Sequence, residues 1–257
     1  MRATRVVVIN MNTLHLAIAW YSACYRGDWS KIARAIQNHE DYQTLSMASS
    51  YITIVDDAYP ACFRRLRYPP WILYYRGNLD LLNSKAVGIV GARNCSQQAL
   101  MNTLNVVQTV KDHHVIVSGL AKGIDAKAHR GALDKKTIGI IGCGIDRIYP
   151  KVNADLYHCM ANEHLILSEY PGSTAPLRHH FPWRNRLIAG CIDALIVIEA
   201  TCRSGTMLTV NACNELGVPV YCLPTAFEND AYPGCNHLIE QGANIVSNRE
   251  ELKKLFP

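Results

Sequence analysis

The sequence has no apolar run long enough to cross a membrane. Its longest apolar runs are the length of a strand, such as Ala194–Ile198, whereas a membrane-spanning helix needs about 20 residues. The cysteines form no C-x-x-C pair, and no His/Cys cluster has zinc spacing, so no metal site is predicted. A nucleophile elbow, a Walker lysine and a clear pair of carboxylates are also missing, so no complete catalytic set is evident.

The first 27 residues are basic and apolar, but polar residues (Asn10, Asn12 and His15) interrupt the apolar segment. This interruption favours a strand and a helix over a signal peptide. The ten cysteines, several within apolar patterns, are typical of reduced thiols in a cytoplasmic protein.

Apolar residues make up 49% of the 257 residues and charged residues 18%, which is enough for one large α/β domain with a small appendage. The net charge is +5, and it is unevenly distributed. Residues 85–203 carry 14 Lys and Arg against 9 Asp and Glu, whereas residues 204–257 carry 3 against 6. The basic excess suits an anionic partner, although charge alone equally suits a mixed solvated surface.

The chain divides into three regions. Residues 1–50 are predicted to form a small helical domain, with one helix starting after the N-cap Asp28 and a short last helix near residues 41–49. Residues 51–84 form a connecting segment with short strands. From residue 85 onward, continuous apolar strands alternate with amphipathic helices, which predicts a parallel sheet with helices on both faces.

Glycine-rich turns follow the predicted strands, at the sheet edge where such folds bind ligands. In the turn after residues 115–118, Gly119 and Gly123 allow close approach of a ligand, Lys122 adds charge, and the following helix offers its N-terminal N–H groups to an anion. Asp125 and His129 lie four residues apart, either as an acid/base pair or as a capping Asp bonded to a structural His.

Further turns add cations and aromatic rings. Arg93 follows a glycine turn that lacks the third glycine of a dinucleotide site, and it is either an anion contact or a surface arginine. Arg147 lies beside Tyr149, and residues 204–206 open a helix in the manner of a phosphate turn. Within residues 181–186, arginines mixed with aromatics suit a nucleic-acid strand, although the aromatics could equally be core residues.

Seven stretches together resemble the DprA/Smf family of DNA-processing proteins, over residues 52–246. They are GIVGARNCS, VSGLAKGIDAKAHRGAL, GCGIDRIYP, LSEYPG, FPWRNRLIAG, EATCRSGT and GCNHLIEQGA. The resemblance implies an extended Rossmann domain after a SAM-like helical domain, with no cofactor and no catalysis. It also implies a cytoplasmic homodimer that protects single-stranded DNA during natural transformation and loads RecA on it.

Carried over by position, the resemblance places DNA contacts at Arg93, Ser118, Gly119, Lys122, Gly123, Arg147, Phe181, Arg184, Asn185 and Arg186. The five cations of this set are expected to neutralise phosphates, and Phe181 or Trp183 to stack a base. Leu238 and Ile239, apolar residues near an acidic region, are the predicted dimer interface. Two departures from the family are expected: no winged-helix module after residue 257, and a longer loop at residues 222–236.

A nucleotide-processing enzyme is the competing hypothesis. Phosphoribohydrolases of the lonely-guy type share the extended Rossmann sheet and use a GGxGTxxE motif with a catalytic glutamate. The corresponding stretch here is RSGTMLT, which places Thr209 where that glutamate would be. Threonine cannot relay protons near neutral pH, so turnover is not expected. A nucleotide-sensing domain that binds without turnover is a further alternative.

Overall fold

A computed structural model describes residues 11–226 and 230–257; the strand expected among the first ten residues lies outside the described residues. Its framework is a nine-stranded sheet in the order β1-β2-β6-β5-β4-β3-β7-β8-β9. The strands are β1 (Ser50–Thr53), β2 (Ile72–Gly77), β3 (Ala86–Val90), β4 (Val115–Ser118), β5 (Thr137–Ile140), β6 (Leu165–Ser168), β7 (Ala194–Val197), β8 (Val220–Cys222) and β9 (Asn244–Ile245). The β1-β2 and β2-β6 pairs are antiparallel, and the other neighbouring pairs are parallel.

Helices cover both faces of this sheet. They are α1 (Met11–Cys24), α2 (Trp29–Gln37), α3 (Ala61–Arg64), α4 (Gln97–Val110), α5 (Ile124–Gly131), α6 (Ala154–Glu163), α7 (His180–Gly190), α8 (Gly205–Glu215), α9 (Gly234–Glu240) and α10 (Arg249–Leu255). Successive residues of β7 alternate between two cores: Leu195 packs towards α7 and α8, and Ile196 packs towards α4 and α5. The α/β class with an extended Rossmann-like sheet is thereby confirmed.

The helical start follows the prediction only in part. Asp28 caps α2 by accepting a hydrogen bond from the Lys31 N–H at 3.0 Å. The short helix expected near residues 41–49 is wrong, because this segment has no regular structure. Its side chains are mostly exposed, so the segment lacks the buried apolar face whose packing would stabilise a helix.

The connecting segment belongs to the same sheet as the glycine-rich turns. Its strands β1 and β2 extend the sheet beyond β6, where Tyr74 lies opposite Ser168. His15 of α1 reaches this edge, with Nδ1 at 2.8 Å from the Asp56 carboxylate and Nε2 at 3.1 Å from the Tyr51 hydroxyl. Among the described residues, no helix is long and apolar enough to cross a membrane.

The structure corrects one half of the predicted dimer interface. Leu238 of α9 is 6% exposed and belongs to the core under the sheet, so it is not available to a partner. Its neighbour Ile239 is only partly buried. The sequence could not separate the two, because adjacent residues of a short helix differ in burial only through tertiary packing.

We therefore expect Leu238→Lys to unfold the protein rather than to give a folded monomer, since an unpaired charge in the core is costly. Ile239→Lys is the matched control, and its free energy of unfolding should lie within about 1 kcal/mol of the wild-type value. Urea denaturation followed by circular dichroism measures both. A folded, stable Leu238→Lys variant would contradict the burial of this side chain.

Candidate nucleic-acid interface

A two-chambered cleft opens at the carboxyl ends of β3, β4, β5 and β7. Its first chamber has a volume of about 430 Å³ and its second about 260 Å³. Both are lined by Arg93, Asn94, Ala121, Phe181 and Arg184. Strands β4 to β6 lie on one side of β3, and β7 to β9 lie on the other, so the strand order reverses between β3 and β7. Such a switch point is the usual ligand crevice of doubly wound sheets.

Exposed cations and aromatic rings form the mouth of this cleft. The Arg93 guanidinium carbon lies 5.4 Å from the centroid of the Phe181 ring, and the Tyr149 ring lies 5.8 Å from the same ring. Lys122 is exposed and lines the second chamber with Tyr149. The arrangement offers positive charge beside ring faces, as single-stranded nucleic acids require.

A buried arginine forms the floor. Arg184 is 5% exposed, and one of its Nη atoms donates to the carbonyl of Ile140. Burial lowers the pKa of Arg184 to about 10, opposed by the Asp125 carboxylate and reinforced by the nearby charge of Arg93. The side chain therefore remains protonated at neutral pH and makes the floor positive.

Gly119 has a different role from the one predicted. A Cβ at this position would overlap the guanidinium of Arg184, so the missing side chain makes room for that arginine rather than for a ligand. Gly123 has a positive φ of 73°, and a Cβ there would meet the Ala92 and Arg93 carbonyls. This second glycine allows the turn after β4 to pack against the turn after β3.

The N–H groups of the turn after β4 are partly occupied from within the chain. The Asp125 carboxylate accepts hydrogen bonds from the N–H groups of Gly119 and Ala121, at 3.2 and 3.4 Å. Burial raises the pKa of Asp125, while the charge of Arg184 and these N–H groups act in the opposite direction. The anion at these two turn N–H groups is thus the protein's own carboxylate, and at the start of α5 the Ile124 N–H donates to the Ala92 carbonyl at 3.3 Å.

Asp125 and His129 do not form the expected pair. His129 Nδ1 lies 2.7 Å from Thr137 Oγ1, and that hydroxyl donates to the Ile116 carbonyl, so the ring nitrogen donates to the threonine. Burial, together with the charges of His164 and Arg184, lowers the pKa of His129 to about 3. It is a neutral structural histidine.

His129 gives a pH-dependent stability. Unfolded histidine binds a proton below about pH 6.5, whereas folded His129 stays neutral down to about pH 3. The contribution of His129 to the free energy of unfolding is therefore full above pH 6.5 and is lost as the pH falls. Between pH 7 and pH 5 we expect this residue to lower the free energy of unfolding by about 2 kcal/mol. Urea denaturation at both pH values should show that difference shrink in His129→Gln.

The exposed His158 provides the control, since His158→Gln should leave the pH difference unchanged. Asp125 acts in the opposite direction, because its raised pKa makes the folded state bind more protons on acidification. That effect is common to all three proteins. An undiminished pH difference in His129→Gln would contradict the assignment.

Three other predicted contacts lie outside the chambers. Ser118 is fully buried, and its hydroxyl donates to the Ile89 carbonyl. Arg147 is exposed, with Nη1 donating to the Ser173 carbonyl at 3.3 Å. Arg186 pairs through both Nη atoms with the Glu169 carboxylate, at 2.5 and 2.6 Å. The charge of Arg186 is therefore balanced inside the protein and is not free for a phosphate.

Trp183 does not line the chambers either. Its ring centroid lies 5.6 Å from that of Tyr68, and the guanidinium of Arg186 lies 4.2 Å from its face. Of the two aromatics predicted to stack a base, Phe181 lines the cleft and Trp183 packs against the connecting segment.

The opening of α8 forms the remaining wall. Ser204, Gly205 and Thr206 line the first chamber, and Asn185 Nδ2 donates to the Gly205 carbonyl at 3.3 Å. Thr209 lines the same chamber and is 3% exposed. No ionisable side chain thus stands at the position where the competing enzyme hypothesis needs one.

Sequence analysis missed Asn94 and Tyr232. Both line the first chamber, and the Tyr232 hydroxyl donates to the Asn94 carbonyl at 2.9 Å. Asn94 lies within the GIVGARNCS stretch, beside Arg93, which was the available signal. Tyr232 comes from the long loop after β8, and no local pattern places that loop at the cleft.

The fold and the cleft define an extended Rossmann domain with a positively charged ligand crevice at its switch point. The family model "DNA recombination-mediator protein A" matches residues 50–257. The chain is 44% identical to DNA processing protein DprA of Streptococcus pneumoniae over 206 residues, which are 79% of this chain and 73% of that protein. It is 34% identical to DprA of Bacillus subtilis, over 80% of this chain and 71% of that protein. This chain therefore belongs to the DNA recombination-mediator protein A family.

Solved structures agree with this assignment. The X-ray structure of DprA from Streptococcus pneumoniae matches with a TM-score of 0.78 and 34% identity, covering 100% of this chain and 99% of that one. A DprA structure from Helicobacter pylori, described by its single-stranded DNA binding mode, matches with a TM-score of 0.74 and 31% identity. It covers 82% of this chain and 97% of that one.

Proposed function

We propose that this protein binds single-stranded DNA in the cleft, by side chains rather than by the backbone N–H groups of the turn after β4. The observation that carries the proposal is the exposed Arg93 guanidinium beside the Phe181 ring. Phosphates would lie against Arg93 and Lys122, above the buried charge of Arg184, and a base would stack on Phe181 or Tyr149. The single-stranded DNA binding of the Helicobacter pylori relative supports this ligand.

The salt dependence of binding tests this geometry. Each neutralised phosphate of a single strand contributes a slope of about −0.7 to log K against log salt. With three cations at the cleft, the slope should be about −2, whereas the five cations predicted from the sequence would give about −3.5. Fluorescence anisotropy with oligo-dT, measured across salt concentrations, gives the slope directly.

A duplex of equal length is the comparison ligand. Its bases are stacked on each other and cannot reach Phe181, so it should bind more weakly than oligo-dT at every salt concentration. Equal affinity for the two forms would show that the cleft holds something else.

The wider role that we propose is non-catalytic DNA processing during uptake. The protein would protect incoming single strands in the cytoplasm, assemble as a homodimer, and help to load RecA. Membership of the recombination-mediator family supports the recombinase step, and ten free cysteines support a reducing compartment. The test is RecA filament assembly on oligo-dT, which should be faster with this protein than without it.

Absence of turnover is tested separately. Among the described residues, Asp125 is the carboxylate that lines the first chamber. Backbone N–H groups engage it, so it is not free for general acid/base work. Incubation with nucleoside monophosphates should release no free base above a blank. Release that disappears in Thr206→Ala would replace this proposal with the enzyme hypothesis.

A further inference from the structure

A cluster of three potential metal ligands lies at the opposite edge of the sheet from the cleft. Cys159 and Glu163 are four residues apart on the last turns of α6, and His164 follows directly, before β6 begins. The thiol, a carboxylate oxygen and a ring nitrogen all lie within 4.8 Å of one another. Side chains four apart share one face of a helix, which explains how α6 brings the first two together.

His164 gives the cluster a second, independent indication of a ligand. The residue is 2% exposed, yet neither ring nitrogen makes a hydrogen bond of good geometry, and the Leu133 backbone offers the ring only a weak contact. Its backbone is fixed, because its carbonyl accepts from the Asn78 N–H at 2.8 Å. A buried polar nitrogen without a partner is destabilising, and a metal bond would satisfy it.

We propose that Cys159, Glu163 and His164 bind a zinc ion. Sulfur, imidazole nitrogen and carboxylate oxygen are the donors that Zn²⁺ takes, at about 2.0–2.3 Å. Ligands on one tetrahedral ion lie about 3.5 Å apart, so a pair of ligand atoms at the 4.8 Å limit must approach by about 1 Å. Glu163 is exposed and can turn to do so, and its exposure leaves the fourth position to water.

The charges balance on binding. The Cys159 thiol loses its proton to solvent, so the thiolate and the Glu163 carboxylate together neutralise the two charges of the ion. His164 binds through a neutral ring nitrogen. The set has none of the paired Cys or His spacings that mark zinc sites in a sequence. Its members are a single cysteine, a glutamate and a histidine within six residues.

The ion would fasten the end of α6 to the start of β6. This point lies on the sheet beside β2, where Gly77 pairs with Leu165. The cluster lies at the amino end of β6, whereas the cleft lies at the carboxyl ends of the strands, so the proposal does not depend on DNA binding.

The test is zinc content and affinity of the full chain after removal of metal with a chelator. Wild type should take up one equivalent of Zn²⁺ and show a higher Tm with zinc than without it. Cobalt in place of zinc should give the absorption of a thiolate–cobalt bond. Cys159→Ser and Glu163→Gln should each lower the zinc affinity by more than about tenfold, since changes even beyond the first ligands cost that much.

Surface thiols bind zinc adventitiously, so a matched cysteine is needed. Cys24 is an exposed thiol at the end of another helix, and Cys24→Ser should keep the site intact. Glu163 is exposed, so Glu163→Gln is expected to keep the fold. This variant tests the proposal if Cys159→Ser folds poorly. Unchanged stoichiometry and affinity in Glu163→Gln would overturn the proposal.

Discussion

Arg93→Glu should bind oligo-dT about 100-fold more weakly than wild type at about 0.1 M salt, where distant charges are screened. The change removes a charge-assisted contact, worth about 1.5–3 kcal/mol, and adds repulsion between a carboxylate and phosphate. It also removes the cation held 5.4 Å from the Phe181 ring. Because phosphate contacts do not read sequence, the loss should be similar for oligo-dT and for mixed sequences. Fluorescence anisotropy titration measures it.

Arg34→Glu is the matched control, because it makes the same change of charge at an exposed arginine of α2. Its affinity should remain within about threefold of wild type, as expected for a long-range effect screened by salt. Similar losses in the two variants would show that net charge, and not the cleft, governs binding.

Glu169→Gln should lower the free energy of unfolding by about 3 kcal/mol. Glu169 is 5% exposed and accepts from both Nη atoms of Arg186, whose side chain is 13% exposed. Removing one partner leaves a mostly buried charge uncompensated, which costs far more than loss of a surface pair. Urea denaturation at pH 7 gives the value.

The exposed pair between Lys135 and Asp112 is the reference for this measurement. Asp112→Asn should cost less than about 1 kcal/mol, because water screens that pair. If Glu169→Gln instead kept full stability, the charge of Arg186 would not depend on Glu169, and Arg186 would be available as a phosphate contact, as the sequence predicted.

The fold was largely predictable because its signals are local. Apolar runs such as residues 86–90 and 194–197 need no partner to be recognised as strands, and Asp28 caps the helix directly after it. The helix expected near residues 41–49 failed because its pattern had no buried face. What could not be predicted was that β2 pairs with β6, since no local pattern encodes a partner far along the chain.

The position of the cleft was predictable from the sequence, and its lining was less so. Glycines at strand ends correctly indicated the cleft, but a sequence shows that a glycine is needed and not what fills the space beside it. At Gly119 that neighbour is Arg184, from a helix that follows much later. Likewise, Arg186 looked free because Glu169 lies on a different element of the chain. Ion pairs between residues far apart in the chain decide which cations remain available to a ligand. Such pairs cannot be predicted from a single sequence.

The antiparallel pairing of β2 with β6 also orders the events of synthesis. As the ribosome releases the chain, β1 and β2 emerge early, yet Gly77 finds its partner only when Leu165 has left the exit tunnel. The intervening strands β3, β4 and β5 can meanwhile form their parallel layer. Until then β2 has β1 on one side and an unpaired edge on the other, and an exposed strand edge leaves a nascent chain vulnerable to aggregation and in need of a chaperone.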